Sequence, residues 1–209
     1  MIRLLCVIAG YIFGLFQTGH FYGKLIGVDL RKKGSGNTGA TNALRVLGFK
    51  HAFIIFFFDA LKAFIPVFAA RMIFSGQPEE FAYAAYAAFG VILGNDYPFF
   101  LRFRGGKGVA ATAGWLLAID WRLFLICLTI FFAIAFLSRY VSLASMITMT
   151  LIFIGCVIMA FTGMIPVSGT YRLEFIALIF VMGVLIFVRH KGNIKRLLNG
   201  TENRFGHKS

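Results

Sequence analysis

The sequence predicts an all-α integral membrane protein with about seven transmembrane helices, one of them short, and three observations predict it. Of its 209 residues, 59% are hydrophobic and only 14% charged, giving a mean hydropathy of +0.83. A soluble domain of this length does not need so much apolar side chain to fill one core. The apolar residues fall in long runs separated by short polar stretches, as spanning helices of about 20 residues require. Only four prolines interrupt the chain, too few to cut the runs into strands.

Seven apolar segments follow in order: roughly 2–23, 51–74, 80–97, 107–119, 121–138, 141–163 and 173–188. The first is too long for a signal-peptide core and has no small-residue cleavage site before a polar chain, so it reads as a retained span. The fourth is about 20 Å long as a helix against about 30 Å of hydrocarbon. It is tilted, begins in a re-entrant loop, or forms an uneven hairpin with the fifth, with the turn at Asp120 and Trp121. Five or six spans is the alternative count. No repeat and no flexible linker divides the chain, which reads as a single polytopic membrane domain over 1–209.

With seven spans, sixteen of the Lys and Arg residues fall in segments 24–50, 98–110, 138–140 and 189–209, Lys208 among them. The opposite side carries four: Arg3, Arg71, Arg122 and Arg172. This bias puts the N-terminus outside and the C-terminus in the cytoplasm. The net charge of +13 is therefore a topology signal and not a nucleic-acid footprint, with capacity left to hold anionic headgroups or substrates. Cys6, Cys127 and Cys156 sit unpaired inside apolar runs, so neither a disulfide nor a metal framework is expected, and no cofactor.

Three stretches on the basic side stand apart. The first runs Gly34-Ser35-Gly36-Asn37-Thr38-Gly39-Ala40-Thr41-Asn42 and is followed by Arg45. Alternating glycines (Gly34, Gly36, Gly39) let backbone N–H groups converge on an anion, while Ser35, Asn37, Thr41 and Asn42 add hydrogen bonds. Arg45 lies one helical turn beyond Thr41 and Asn42, where it can act as a phosphate fork. The competing reading is a flexible polar turn. The second stretch, Arg102-Phe103-Arg104-Gly105-Gly106-Lys107-Gly108, opens the short fourth segment. A glycine run at a helix start is an anion site, with Lys107 as a point charge. It is not a Walker A loop: Leu101 stands where glycine is required and Gly108 where Ser or Thr is required. Snorkelling basic residues at a membrane re-entry point are the competing reading. The third, Arg189-His190-Lys191-Gly192-Asn193-Ile194-Lys195-Arg196, puts Arg189, Asn193 and Arg196 on one helix face; alone it reads as a polybasic helix end gripping anionic lipid.

Asp59 and Lys62, three apart in the second span, are expected to pair with one another. The GxxxG spacings Gly10/Gly14 and Gly19/Gly23 suggest close helix packing.

Taken together, the stretches GSGNTGATNALR from Gly34, GGKGVAATAG from Gly105 and RHKGNIKRLLNGTE from Arg189 resemble the bacterial acyl-phosphate-dependent glycerol-3-phosphate acyltransferases, the PlsY family. Asp59 with Lys62, and the Tyr140-Val141-Ser142-Leu143-Ala144-Ser145 stretch, are similar to the family too, so the resemblance covers nearly the whole chain. It implies transfer of a fatty acyl group from acyl phosphate to the 1-hydroxyl of glycerol 3-phosphate, giving lysophosphatidic acid. It implies a multi-pass enzyme of the bacterial cytoplasmic membrane with its active site facing the cytoplasm, in contact with membrane lipid. On matching positions it nominates Ser35, Asn37, Arg45, Lys107, His190 and Asn193 as catalytic residues. Gly34, Gly36, Gly39, Thr41, Asn42, Gly105, Gly106 and Gly108 are then the expected phosphate-binding set.

Two places depart from the family pattern. Gly14-Leu15-Phe16-Gln17 stands where the family usually has Gly-Ser-Ile-Pro, and Asn95 where it usually has His. No covalent Ser–His–Asp arrangement is evident, so the expected chemistry is direct attack by the substrate hydroxyl. Arg45 and Lys107 hold phosphates, Ser35 and Asn37 orient the reacting groups, and the substrate's phosphate or else His190 takes the proton. A transporter or a non-catalytic binder of phosphorylated lipid precursors is the rival from another class.

Overall fold

The computed structural model describes residues 1–204, and every regular element among them is helical. Lys208, included in the charge count, lies outside the described residues. The elements are α1 (Ile2–Gly14), α2 (Thr18–Leu25), α3 (Ala40–Leu47), α4 (Phe49–Ile73), α5 (Glu80–Asp96), α6 (Val109–Ile119), α7 (Trp121–Ser138), α8 (Val141–Thr162), α9 (Gly169–Arg189) and α10 (Lys191–Leu198).

Each apolar segment is helical, but the first is not one continuous helix. It breaks at Leu15-Phe16-Gln17, where Gln17 leaves helical geometry with φ −86° and ψ 86°. Five stretches are long and apolar enough to cross a membrane: Ile2–Leu25, Phe49–Ile73, Trp121–Ser138, Val141–Thr162 and Gly169–Arg189. The 17-residue α5 and the 11-residue α6 are shorter. Large apolar side chains such as Phe57, Phe68, Leu125, Ile126 and Phe180 point outward, as a lipid-facing surface requires.

The short α5 is the centre of the bundle, with α1, α4, α6 and α9 packed around it. It sits deep because it is built of small residues: Ala82, Ala84, Ala85, Ala87 and Ala88 are almost wholly buried. Gly10 and Gly14 of α1 mesh with Gly90 and Gly94 of α5. A Cβ on Gly10 or Gly14 would strike the Ala87 or Val91 carbonyl, and one on Gly90 or Gly94 the Val7 or Tyr11 carbonyl. The expected packing role of Gly10 and Gly14 is thus met by a reciprocal pair on α5. Gly19 and Gly23 differ: they lie against the Thr38 and Val28 carbonyls of the following loop, not against another helix.

Asp120 caps α7, accepting from the N–H groups of Arg122 and Leu123 at 2.9 Å each. At the other end of that turn, Arg71 donates to the last carbonyls of α6, Ala118 at 2.9 Å and Ile119 at 3.1 Å. The uneven α6–α7 hairpin is therefore fixed at both sides of its turn. Its opposite end, the start of α6, is left facing a cavity.

Candidate active site

A cavity of about 520 Å³ lies between the start of α6, the loop before α3, the α8–α10 corner and the faces of α4 and α7. All three motif stretches reach it. Ser35, Asn37, Gly39, Thr41, Asn42 and Arg45 line it from the first, Gly106, Lys107 and Gly108 from the second, and His190 and Asn193 from the third. Of the nominated residues, Gly34, Gly36 and Gly105 do not line it.

The loop before α3 is tied together by one buried side chain. The Asn42 Oδ1 accepts from the Ser35 N–H at 2.8 Å, and its Nδ2 reaches the carbonyls of Leu30, Lys33 and Asn37 at 3.0, 3.0 and 2.8 Å. With both ends of its amide taken by these contacts, Asn42 shapes the loop. The Gly36 N–H donates to the Lys33 carbonyl, and the Gly39 N–H to Asn37 Oδ1 at 2.8 Å. These two amides are therefore engaged within the loop. The loop leaves other groups uncommitted. The Ser35 and Thr41 hydroxyls and the Arg45 guanidinium make no hydrogen bond or ion pair with any described residue. Arg45 is half-buried, and that burial lowers its pKa.

The Lys107 loop is also held by backbone contacts. Its glycines dock on the end of α5: the Gly105 N–H donates to the Asp96 carbonyl at 3.1 Å and the Gly106 N–H to the Asn95 carbonyl at 2.9 Å. Their own carbonyls accept from Arg189, whose Nη2 lies 2.9 Å from Gly105 O and 2.8 Å from Gly106 O. Glycine is required here because a Cβ on Gly105 would strike the Asn95 carbonyl, and one on Gly106 would lie 2.8 Å from Asn95 Nδ2. Close packing against the end of α5 is thus one reason for glycine at both positions. The amides of Lys107, Gly108, Val109, Ala110 and Ala111, running into the start of α6, have no acceptor among the described residues, and these residues line the cavity.

Lys107 donates to Asn193 Oδ1 at 2.5 Å, and Asn193 Nδ2 donates to Glu202 Oε1 at 2.7 Å. Ser142 Oγ and Arg196 Nε complete the shell around Glu202 at 3.0 and 2.7 Å. Burial works against the Glu202 anion, but these hydrogen bonds hold its pKa below the ordinary range. Burial, with Arg196, Arg45 and Arg189 nearby, lowers the Lys107 pKa to about 8, so it is mostly cationic at neutral pH. His190 donates Nδ1–H to the Ile186 carbonyl at 2.8 Å, which leaves Nε2 as an acceptor. Burial and the neighbouring Lys107 lower its pKa to about 4, so the ring is neutral at pH 7.

One end of the cavity is thus cationic, with a neutral histidine and free hydroxyls. The other is apolar, lined by Phe53, Phe56, Phe124, Leu128, Phe131 and Phe132. Such a site suits a phosphorylated head and a hydrocarbon tail.

Comparison with known proteins agrees. The family model for glycerol-3-phosphate acyltransferase matches residues 4–200. A glycerol-3-phosphate acyltransferase of Aquifex aeolicus is 41% identical over 205 residues, covering 98% of this chain and all of that one. The chain belongs to the glycerol-3-phosphate acyltransferase family. A relative of the same description from Thermus thermophilus is 38% identical over 97% of this chain and 95% of its own. Two crystal structures of PlsY, an integral membrane glycerol 3-phosphate acyltransferase, superpose with TM-scores of 0.85 and 0.83, at 38% and 37% identity. Each covers 98% of this chain, and they cover 96% and 95% of their own; one is the glycerol 3-phosphate form and the other the lysophosphatidic acid form.

Gln17 and Asn95, the two positions set apart in the sequence, meet in space. Gln17 Nε2 lies 3.0 Å from the Asn95 carbonyl. The Asn95 side chain accepts from Lys62 Nζ at 2.8 Å and donates to Asp96 Oδ1 at 2.9 Å. A neutral histidine at this position would likewise offer one acceptor and one donor. The expected Asp59–Lys62 pair is present at 2.6 Å, but Lys62 also donates to the Phe16 carbonyl at 2.7 Å and so braces the break in the first span.

Glu202, Ser142 and Arg189 are not among the nominated site residues, although all three lie in stretches that carry the acyltransferase resemblance. Glu202 is legible as the lone acid ending a basic run. Arg189 is not, because its partners are two carbonyls far away in sequence.

Proposed function

We propose that this acyltransferase moves a fatty acyl group from acyl phosphate to the 1-hydroxyl of glycerol 3-phosphate, releasing lysophosphatidic acid and inorganic phosphate. The observation that carries this reading is the convergence of three separated motif stretches on one cavity, cationic at one end and apolar at the other.

Acyl phosphate is already an activated anhydride, so positioning and charge stabilisation supply the catalysis. Arg45, Lys107 and the free N–H groups opening α6 hold the two phosphates, and Ser35 and Asn37 orient the reacting groups. The glycerol 1-hydroxyl oxygen forms its bond to the acyl carbon as the bond from that carbon to the phosphate oxygen breaks. The hydroxyl proton leaves with the released phosphate. His190, neutral with a free Nε2, orients the hydroxyl by accepting its hydrogen bond; a pKa of about 4 makes it a weak base at neutral pH. The Phe-lined end takes the tail.

The bundle sits with seven crossings, α5 and α6 completing the five long stretches, the N-terminus outside and the cavity mouth on the cytoplasmic side of a bacterial cytoplasmic membrane. The excess of Lys and Arg on the loops around the cavity supports this orientation.

The test is a donor panel: purified protein with glycerol 3-phosphate and either acyl phosphate, acyl-CoA or acyl carrier protein. Acyl phosphate alone should support lysophosphatidic acid formation. Comparable rates with either thioester would overturn the donor assignment.

A further inference from the structure

The end of α5 poses a hydrogen-bonding problem that its own helix does not solve. The last four carbonyls of any helix lack intrahelical donors and need outside partners when buried. At α5 these belong to Leu93, Gly94, Asn95 and Asp96. Leu93 O takes the Tyr97 N–H at 2.8 Å. The next donor in register, for Gly94, would be residue 98, which is Pro98 and has no N–H. Gly105 and Gly106 supply Asp96 and Asn95 from the Lys107 loop. Gly94 is supplied from the break in the first span: Gln17 Nε2 lies 3.3 Å from Gly94 O and 3.0 Å from Asn95 O, and also reaches its own Gly14 O at 3.1 Å.

Gln17 and the Lys107 loop therefore share one docking point, the Asn95 carbonyl. Gln17 is 2% exposed, and both it and Asn95 line the cavity. The path from Gln17 to the reactive cation is short: the shared carbonyl, the Gly106 amide, then Lys107 itself.

We propose that Gln17 is a positioning residue, which caps the proline-terminated end of α5 across the helix break and so fixes the Lys107 loop for phosphate binding. It touches no reacting atom in this role. Without its carboxamide, Gly94 O loses its donor, the end of α5 loosens, and Gly106 no longer meets a fixed acceptor. Lys107 then samples wetter positions, away from the Glu202, Arg196, Arg45, Arg189 and His190 groups that surround it. The inference rests on the reading of Lys107 as a phosphate-holding cation.

The test uses full-length protein in detergent with Gln17→Met, nearly isosteric but without donors, and Gln17→Glu, which keeps the shape, loses both donors and adds charge. Amide exchange over 103–110 should quicken at least tenfold in Gln17→Met, with 150–160 in α8 unchanged. The KM for a phosphorylated substrate should rise at least tenfold, and the alkaline limb of the rate profile should move up from near pH 8. Gln17→Glu should show the same changes or larger ones. Unchanged exchange over 103–110 in Gln17→Met overturns the proposal, whatever the activity. Faster exchange everywhere also overturns it, because Gln17 would then hold the whole bundle and not this loop. Lys107→Met keeps the two failures apart: if it retains full activity, the role of Lys107 fails, and with it the link from Gln17 to binding.

Discussion

Arg45 enters the cavity without a partner among the described residues, whereas Arg189 and Arg196 are already committed to carbonyls and a carboxylate. In the proposed reaction this half-buried guanidinium makes a planar two-point contact with phosphate, which lysine does not reproduce. Arg45→Lys should therefore lose nearly as much as Arg45→Ala, about 2–4 kcal/mol or roughly 30- to 1,000-fold in kcat/KM. Full activity in the lysine variant would remove Arg45 from the site. The pH profile is set at the same scale. A Lys107 cation with a pKa near 8 is present below that pH and lost above it, so the rate should fall as pH rises through about 8. His190, held near 4, stays neutral from pH 5 to 9 and should contribute no limb near the ordinary histidine value. A limb near 6.5 that disappears in His190→Gln would contradict this. Asn95→His should change the rate no more than several-fold, because histidine can still accept from Lys62 and donate to Asp96. A gain of about 10²-fold would show that an obligatory base had been restored.

At the scale of elements, the glycines before α6 hold a helix end against a helix end. Their N–H groups satisfy α5, and Arg189 of α9 satisfies their carbonyls. Gly105→Ala should be the more damaging change, since its Cβ meets a backbone carbonyl while that of Gly106 meets a side-chain amide. Thermal melting should show Gly105→Ala destabilised by a few kcal/mol and Gly106→Ala by less. If both variants melt normally yet lose only phosphate affinity, direct backbone contact with phosphate would be the better account. This is where the sequence could not be read through. A glycine run before a helix carries the same pattern whether its amides face an anion or another helix. The choice is made by Asn95 and Asp96, about ten residues earlier. The same limit applies to the break in the first span: Gln17 and Thr18 are two polar residues in an apolar run, and their partners lie on α5 and α4. Asn42 escapes the sequence for a related reason, since its four partners are local but their geometry is not written in the spacing. What spacing does reveal are the meshing glycines of α1 and the cavity-lining positions of the three motif stretches.

For the whole molecule, a central helix of alanine and glycine brings α1, α4, α6 and α9 close enough for distant stretches to share one cavity. The orientation of the bundle is tested by single-cysteine labelling at Gln77 and Arg104, which the proposed topology puts on opposite sides. Labelling of both from one side would sink it. The most direct test of the central claim is the initial rate of lysophosphatidic acid formation by the purified protein from acyl phosphate and glycerol 3-phosphate, with released phosphate measured in the same samples. The account predicts one phosphate released for each lysophosphatidic acid made, with both lost together in an Arg45→Ala, Lys107→Met double variant. No lysophosphatidic acid from the natural protein, or phosphate released without it, would contradict the account.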